Sequence, residues 1–226
     1  MSALPALLLV AILLSDFRLL GGSRLVALIR TAALQGILLG ILALLLHRHA
    51  PGPGVALLAA GGIAIKGLVL PQLLLRAIRQ VEIRREVEPL VGYNVSLLLG
   101  ALALGAASAL ARGLPLPAPT TSPLLVPTAF FTVSVGLFLI VARRKALTQV
   151  LGYLVFENGI YAFGLGIAGE QPLLVELGVL LDLLVGVFVM GVIVFHIQRD
   201  FDHMDVDRLA ALRDAGGPER GGVDSA

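Results

Sequence analysis

The residues of this chain that could do chemistry are four ionisable side chains set inside long apolar segments. They are Lys66, Glu157, Glu176 and Asp182. A charge at bilayer depth costs about 2.5–3.5 kcal/mol on insertion scales, so charged residues there usually face a bundle interior or a wet cavity and mark the path of a proton or an ion. The four residues are therefore the candidate ion or proton relay. A purely structural buried ion pair or triad is the alternative interpretation.

Three of the four side chains are predicted to lie at one depth. Lys66, Glu157 and Asp182 each fall about ten or eleven residues into their apolar segments, which is near the bilayer midplane at about 1.5 Å of rise per residue. Glu176 lies about one turn inside the outer edge. The two acids of the last segment point about 120° apart on a helix. Glu176 is therefore expected to be an outer station or a packing residue.

Other polar residues in these segments are secondary candidates. Gln35 lies near the middle of its segment, whereas Arg30 and His196 lie closer to the inner side. Arg30 can extend its charge to the interface along its methylene stem, and His196 can be an interface residue. Asp16 and Arg18, near the end of the first segment, are expected to form an interfacial pair.

The composition is that of a membrane protein. Of the 226 residues, 58% are hydrophobic and 14% are charged, and the mean hydropathy is +0.95, values that no ordinary soluble domain has. The absence of cysteine excludes disulfides and thiolate metal ligands. The formal charge of +2 resides in the loops and gives no reason to expect nucleic acid binding. Because no nucleophile motif, phosphate loop or metal-ligand spacing is found, the sequence predicts no catalytic, cofactor or metal site.

Long apolar segments must position these side chains as membrane-spanning helices. Glycine and proline clusters separate the segments, so we predict an all-α, polytopic membrane protein with about seven transmembrane helices. The predicted spans cover residues 3–20, 25–46, 55–75, 90–110, 124–141, 146–168 and 172–197. The glycines of span six are expected to mark a helix-packing face, because small residues let helices approach closely. They are Gly152, Gly159, Gly164 and Gly166.

The basic residues predict the orientation. With the amino terminus outside, thirteen lysines and arginines fall on the inner side, and two, Arg48 and Arg112, fall in outer loops. Since positive charge accumulates on the cytoplasmic side, we predict an N-terminus outside and a C-terminus in the cytoplasm. The aspartate-rich tail is then available to a cytoplasmic partner.

The order of the polar residues indicates an internal duplication of a three-helix unit. Each unit has a span, a short basic turn, a second span with Gln35 or Glu157, and a third span with Lys66 or Asp182. We divide the chain accordingly into a first three-helix membrane unit (1–85), a connecting fourth helix with a proline-rich outer loop (86–122), a second three-helix unit (123–198) and a cytoplasmic tail (199–226).

The second unit resembles two small membrane subunits. The stretch 136–159, with its basic turn and Glu157, resembles the three-helix K-type subunit of respiratory complex I and is similar to the C-type subunit of multi-subunit cation/proton antiporters. Those proteins carry a glutamate in the second helix after a basic turn, and Glu157 stands one helical turn beyond that position. The complex I subunit also has an acid in its third helix, a role that Glu176 or Asp182 could fill.

A further resemblance covers the whole chain. It rests on the segments 157–161 (ENGIY), 172–182 (PLLVELGVLLD) and 201–209 (FDHMDVDRL). Together these segments look like hydrogenase-4 component E, a membrane subunit of formate hydrogenlyase-type assemblies built on group 4 nickel–iron hydrogenases.

The resemblance implies a non-catalytic subunit of an energy-converting hydrogenase complex in the prokaryotic inner (cytoplasmic) membrane. Its function would be proton or sodium translocation. The implied partners are antiporter-like large membrane subunits, membrane lipids, and a cytoplasmic hydrogenase arm that holds the nickel–iron and iron–sulfur centres, since no cofactor is expected in this chain. A purely structural scaffold of such a complex, or of an antiporter-type complex, is the alternative. An independent seven-helix transporter or receptor is a third interpretation.

Overall fold

The computed structural model describes residues 3–46, 60–61, 63–81, 90–114, 122–143 and 146–167, and all of them fall within one compact unit. The regular secondary-structure elements within these ranges are all helices. The elements are α1 (Ala3–Gly21), α2 (Leu25–Leu46), a π-helical turn (Ile65–Val69), α3 (Leu70–Val81), α4 (Tyr93–Gly113), α5 (Leu125–Ala142) and α6 (Ala146–Ile167). The all-α prediction is thus confirmed for the described residues.

By length and apolar composition, four helices of the described part could cross a membrane, namely α1, α2, α4 and α5. Their bounds agree to within about three residues with four of the predicted spans. The 22-residue α6 occupies the position of predicted span six. Span seven, with Glu176, Asp182 and His196, lies outside the described residues. The count of seven spans and their orientation stay predictions.

The core is built around α1, α2, α5 and α6. Helix α1 packs on α2 and α5, and α2 packs on α6. On α1 the buried residues Leu9, Ile12, Asp16 and Leu19 recur every three or four positions, so one stripe of the helix faces the core. Helix α4 packs on α1 and α5 and exposes several leucines on its other side. The polar residues of the core therefore come from helices that touch one another.

Helices α5 and α6 form a closely packed antiparallel hairpin. A Cβ atom built on Gly136 would overlap the backbone of Phe156, and one on Gly152 would lie 2.8 Å from the Ile140 nitrogen. The partner numbers fall along α5 as they rise along α6, which defines the antiparallel pairing. Glycine at these positions lets the two backbones approach without a side chain between them.

The predicted packing role of the α6 glycines is confirmed in part. Gly152 and Gly159 both lie against the α5 backbone, and a Cβ atom on Gly159 would stand 2.5 Å from the Val133 nitrogen. For Gly164 it stays a prediction, because no atom of the described residues lies within 4 Å of the position of its Cβ, and predicted span seven lies outside them. Gly166 reaches only ordinary contact distance from side chains of α5. Towards its carboxyl end α6 is thus less closely packed against the described helices than at its middle.

A π-helical turn leads directly into α3. The backbone N–H of Leu70 bonds to the Ile65 carbonyl, and the residues that flank the turn have α-helical dihedral angles. Turns of this kind are rare and frequently occur at functional sites. The turn and α3 both pack on α2. A Cβ atom on Gly36 of α2 would lie 2.9 Å from Cβ of Lys66, so glycine lets the lysine backbone come close to the core.

Candidate functional site

Lys66 and Glu157 form a buried ion pair. Lys66 Nζ lies 3.3 Å from Glu157 Oε1, and the two side chains are 11% and 3% exposed. The ammonium group also lies over the ring of Tyr161, 5.1 Å from its centroid. Tyr161 follows Glu157 by one turn of α6, so one face of this helix supplies both the carboxylate and the ring. The ammonium charge is thereby stabilised by an opposite charge and by an aromatic face.

A small cavity adjoins the ion pair. It measures about 10 Å³ and is lined by Lys66, Glu157 and Asn158 together with apolar residues such as Pro71 and Leu154. A cavity of this size is near the lower limit for one water molecule, and the three polar lining residues could hold that water. The pair therefore combines two ionisable groups with room for about one exchangeable water.

A second polar group lies between α1, α2 and α5. Its centre is the carboxyl group of Asp16, which is 0% exposed. Gln35 Nε2 donates a hydrogen bond to Oδ1 at 2.7 Å, and Thr132 Oγ1 lies 2.7 Å from Oδ2. The predicted interfacial pair of Asp16 with Arg18 is wrong. Residues two apart point to nearly opposite sides of a helix, so Asp16 enters the core while Arg18 is exposed.

Gln35 connects the two polar groups. Its Oε1 accepts a hydrogen bond of 3.3 Å from Asn158 Nδ2, and Asn158 is the neighbour of Glu157 in α6. One amide side chain of α2 thus links the carboxyl group on α1 with the helix that carries the ion pair. Because unpaired polar groups are costly in an apolar core, this chain of bonds also fixes the register of the helices.

The structure brings together part of the predicted site. Lys66 and Glu157 touch, and Gln35 is buried one hydrogen bond away from Asn158. Arg30 is exposed on α2 and has no place in either polar group. Three members were missed by the sequence analysis, namely Asp16, Thr132 and Asn158. The sequence contains no clear signal for Asp16, because α1 is apolar on nearly all sides and its buried stripe is defined only by the packed helices.

The arrangement of the described residues can hold and exchange protons. In the described ranges no three histidine or acidic side chains come close enough to hold a metal ion. A carboxylate can take up a proton, and the ammonium group beside it compensates its charge when it is ionised. The chemistry available to these residues is therefore proton binding and charge compensation.

A further set of contacts between helices, made by Arg143, lies at one end of the bundle. The buried Arg143 follows α5, and its Nη2 donates a 3.1 Å hydrogen bond to the carbonyl of Leu20 near the end of α1. Its guanidinium also stacks over Tyr93 at the start of α4, 4.8 Å from the ring centroid. A cation near the carboxyl end of a helix is favourable. Through these two contacts, Arg143 links the ends of α1 and α5 to the start of α4.

Apolar helices that enclose an ion pair and a further carboxyl group define a polytopic helical membrane protein. Within this class, the chain belongs to the family of Rv0085, an uncharacterized protein of Mycobacterium tuberculosis. The two align over 191 residues at 37% identity, which covers 83% of this chain and 86% of that protein.

Hydrogenase-4 component E is a more distant homologue. The Escherichia coli K12 protein is 29% identical over 155 residues, 69% of this chain and 72% of its own length, and the Shigella flexneri protein aligns equally well. This homology supports the resemblance to hydrogenase-4 component E over 69% of the chain, whereas the similarity to complex I and antiporter subunits stays a prediction. No family model matches the chain, and no solved structure matches it significantly.

Proposed function

We propose that this chain is an integral membrane subunit of a multi-subunit energy-converting hydrogenase or related redox complex. It contributes to proton, or sodium, translocation through its buried ionisable residues. The observation that carries this proposal is the Lys66–Glu157 pair with its water-sized cavity, in a chain homologous to hydrogenase-4 component E. A charged pair inside apolar helices is expensive to maintain and typically serves ion or proton handling.

The proposed mechanism uses Glu157 as a protonatable station. Lys66 compensates its charge, and the cavity supplies a water through which a proton arrives or leaves. Asp182 would be the next station and Glu176 the outer one, both in the part of the chain outside the described residues. Redox work in a partner subunit would shift these protonation equilibria, because a change in nearby charge alters the affinity of a carboxylate for protons.

The partners that we propose are those that the resemblance to hydrogenase-4 component E implies. They are antiporter-like large membrane subunits, which lie beside this chain in the prokaryotic inner membrane, and a hydrogenase arm on the cytoplasmic side. Nickel–iron and iron–sulfur centres would belong to the hydrogenase arm. The proposed topology has seven spans, two related three-helix units and a cytoplasmic tail.

The test compares ion pumping with assembly in the native complex. Glu157→Gln keeps the side-chain shape and removes the carboxylate, and Arg112→Gln, at an exposed site on α4, is a matched control for loss of a charge. We expect Glu157→Gln to reduce proton or sodium pumping at least tenfold while native gels still show the intact complex. Unchanged pumping in a complex that carries Glu157→Gln would refute the relay.

A scaffold function is the second candidate, and the hydrogen-bonded links among α1, α2, α5 and α6 favour it. In that case the buried charges serve helix register, and removal of one partner leaves an uncompensated buried charge. Glu157→Gln would then reduce the amount of assembled complex, and the complex that remains would pump normally per assembled unit.

A further inference from the structure

Asp16 is a buried carboxyl group that the proposed function does not use. It has two polar contacts, with Gln35 at Oδ1 and with Thr132 at Oδ2, both at 2.7 Å. No ion pair joins it to a cation in the part of the chain that the structure describes. An ionised carboxylate in such a place would be stabilised only by neutral donors, which is costly in an apolar core.

The hydroxyl group of Thr132 indicates the state of this carboxyl group. Thr132 Oγ1 lies 2.7 Å from Asp16 Oδ2 and 2.9 Å from the carbonyl oxygen of Thr128. A hydroxyl has one proton to donate, so it can make a full, nearly linear hydrogen bond to only one of the two oxygens. With an ionised Asp16, one of the two short oxygen–oxygen contacts lacks a proton.

If Asp16 is protonated, each of these short contacts is a hydrogen bond with its own proton. The acid Oδ2–H donates to Thr132 Oγ1, and the Thr132 hydroxyl donates to the Thr128 carbonyl. Oδ1 is then the carbonyl oxygen of the acid, and it accepts the N–H of Gln35. Each of the three distances, 2.7, 2.9 and 2.7 Å, corresponds to one hydrogen bond, and the Asp16 side chain carries no charge.

The other charged and titratable groups on the helices packed around Asp16 do not compensate the charge that an ionised Asp16 would carry. On α2, Arg30 is exposed, and on α4 Arg112 is exposed. Tyr93 of α4 faces Arg143, which is bonded to the end of α1. Helix α5 itself contains no ionisable side chain. No described neighbour thus supplies the positive charge that an ionised carboxylate would need.

We propose that Asp16 is a proton-binding site in which the proton lies between Oδ2 of Asp16 and Oγ1 of Thr132. The occupant is a proton rather than a metal cation, because the N–H of Gln35 points at the carboxyl group and a cation would have to displace it. The site is also separate from the Lys66–Glu157 pair. The connection runs through the amides of Gln35 and Asn158, which have no ionisable proton.

Infrared spectroscopy tests the site directly, since the C=O stretch of a carboxylic acid is distinct from the bands of a carboxylate. The sample is the full chain in the assembly extracted from its native membrane, at neutral pH. Asp16→Asn removes the acid and keeps its shape, and Glu157→Gln is the matched control for another buried carboxyl group. Thr132→Val removes the hydroxyl at constant size, and Thr132→Ser retains it.

We expect an acid C=O band that is lost in Asp16→Asn and kept in Glu157→Gln. Because Thr132 accepts the acid proton, the band should shift in Thr132→Val and stay in place in Thr132→Ser. Replacing potassium by sodium in the buffer should leave the band unchanged. Identical acid regions in the wild type and Asp16→Asn would overturn the proposal. If Asp16→Asn cannot be recovered, an unshifted band in Thr132→Val overturns it as well. Neither readout depends on ion pumping, so the proposal stands or falls separately from the relay.

Discussion

At the scale of residues, two carboxyl groups are accommodated in the same bundle in different ways. Glu157 is compensated by the charge of Lys66 at 3.3 Å, whereas Asp16 is held by the neutral side chains of Gln35 and Thr132. In a buried ion pair, each charge is stabilised by the other, so the removal of one partner leaves the other uncompensated. A carboxyl group among neutral partners is most stable without charge. The two sites are thus expected to respond differently to loss of a neighbour.

A double-mutant cycle tests the ion pair. Lys66→Met alone should lower the free energy of unfolding by about 3 kcal/mol or somewhat less, because Glu157 is left uncompensated and can limit the loss by taking up a proton. Glu157→Gln should also destabilise, and the double variant should be more stable than the sum of the single effects predicts. Thermal unfolding in detergent micelles measures the three values. Strictly additive effects would contradict a direct pair.

At the scale of elements, glycine sets the distance between helices. The α5–α6 hairpin is closest where glycines of one helix meet the backbone of the other, and Gly36 brings the π-helical turn against α2. Because backbone atoms cannot move aside as a flexible side chain can, these contacts are sensitive to a single methyl group. The close approach at Gly36 positions Lys66, and the close packing of α5 on α6 positions the helix that carries Glu157.

The hairpin offers a matched pair of substitutions. Gly159→Ala and Gly164→Ala both replace glycine in α6, so both gain about 1 kcal/mol of helix propensity. In Gly159→Ala the methyl group would meet the Val133 nitrogen at 2.5 Å, while in Gly164→Ala no atom of the described residues lies within 4 Å of it. We expect Gly159→Ala to lower thermal stability, by about 1–3 kcal/mol for overpacking, and Gly164→Ala to preserve or raise it. Equal effects would argue against close packing at Gly159.

At the scale of the whole molecule, the polar groups tie together helices that lie far apart in sequence. Asp16 and Thr132 are 116 positions apart, and Gln35 and Asn158 are 123 apart. These contacts join the first two helices to the α5–α6 hairpin, so the two predicted three-helix units are not independent bodies in the described part of the chain. The orientation of the bundle in the membrane stays a prediction from the distribution of basic residues.

Reporter fusions test that orientation. A reporter active only in the cytoplasm, fused after Arg213, should be active, because thirteen basic residues are predicted on that side. The same reporter inserted after Pro117, in the proline-rich connector, should be inactive. A reporter active only after export should give the opposite pattern. An exported Arg213 fusion would reverse the predicted topology.

The sequence by itself determined the helical class and most helix boundaries. Long apolar segments bounded by glycine and proline permit few alternatives in a membrane, because every backbone polar group must be satisfied within its own helix. The sequence also identified Lys66 and Glu157 as costly residues at similar depth, since depth follows from counting along a helix. It could not say that they touch.

Tertiary structure alone decided which polar residues meet. The direction of a side chain around a helix axis depends on which face packs inward, and the apolar segments here are hydrophobic on nearly all sides. For that reason Asp16 was assigned to the interface although it lies in the core, and Thr132 and Asn158 carried no signal of their own. The close approaches at Gly36 and Gly159 are likewise properties of packed helix pairs, which no single segment specifies.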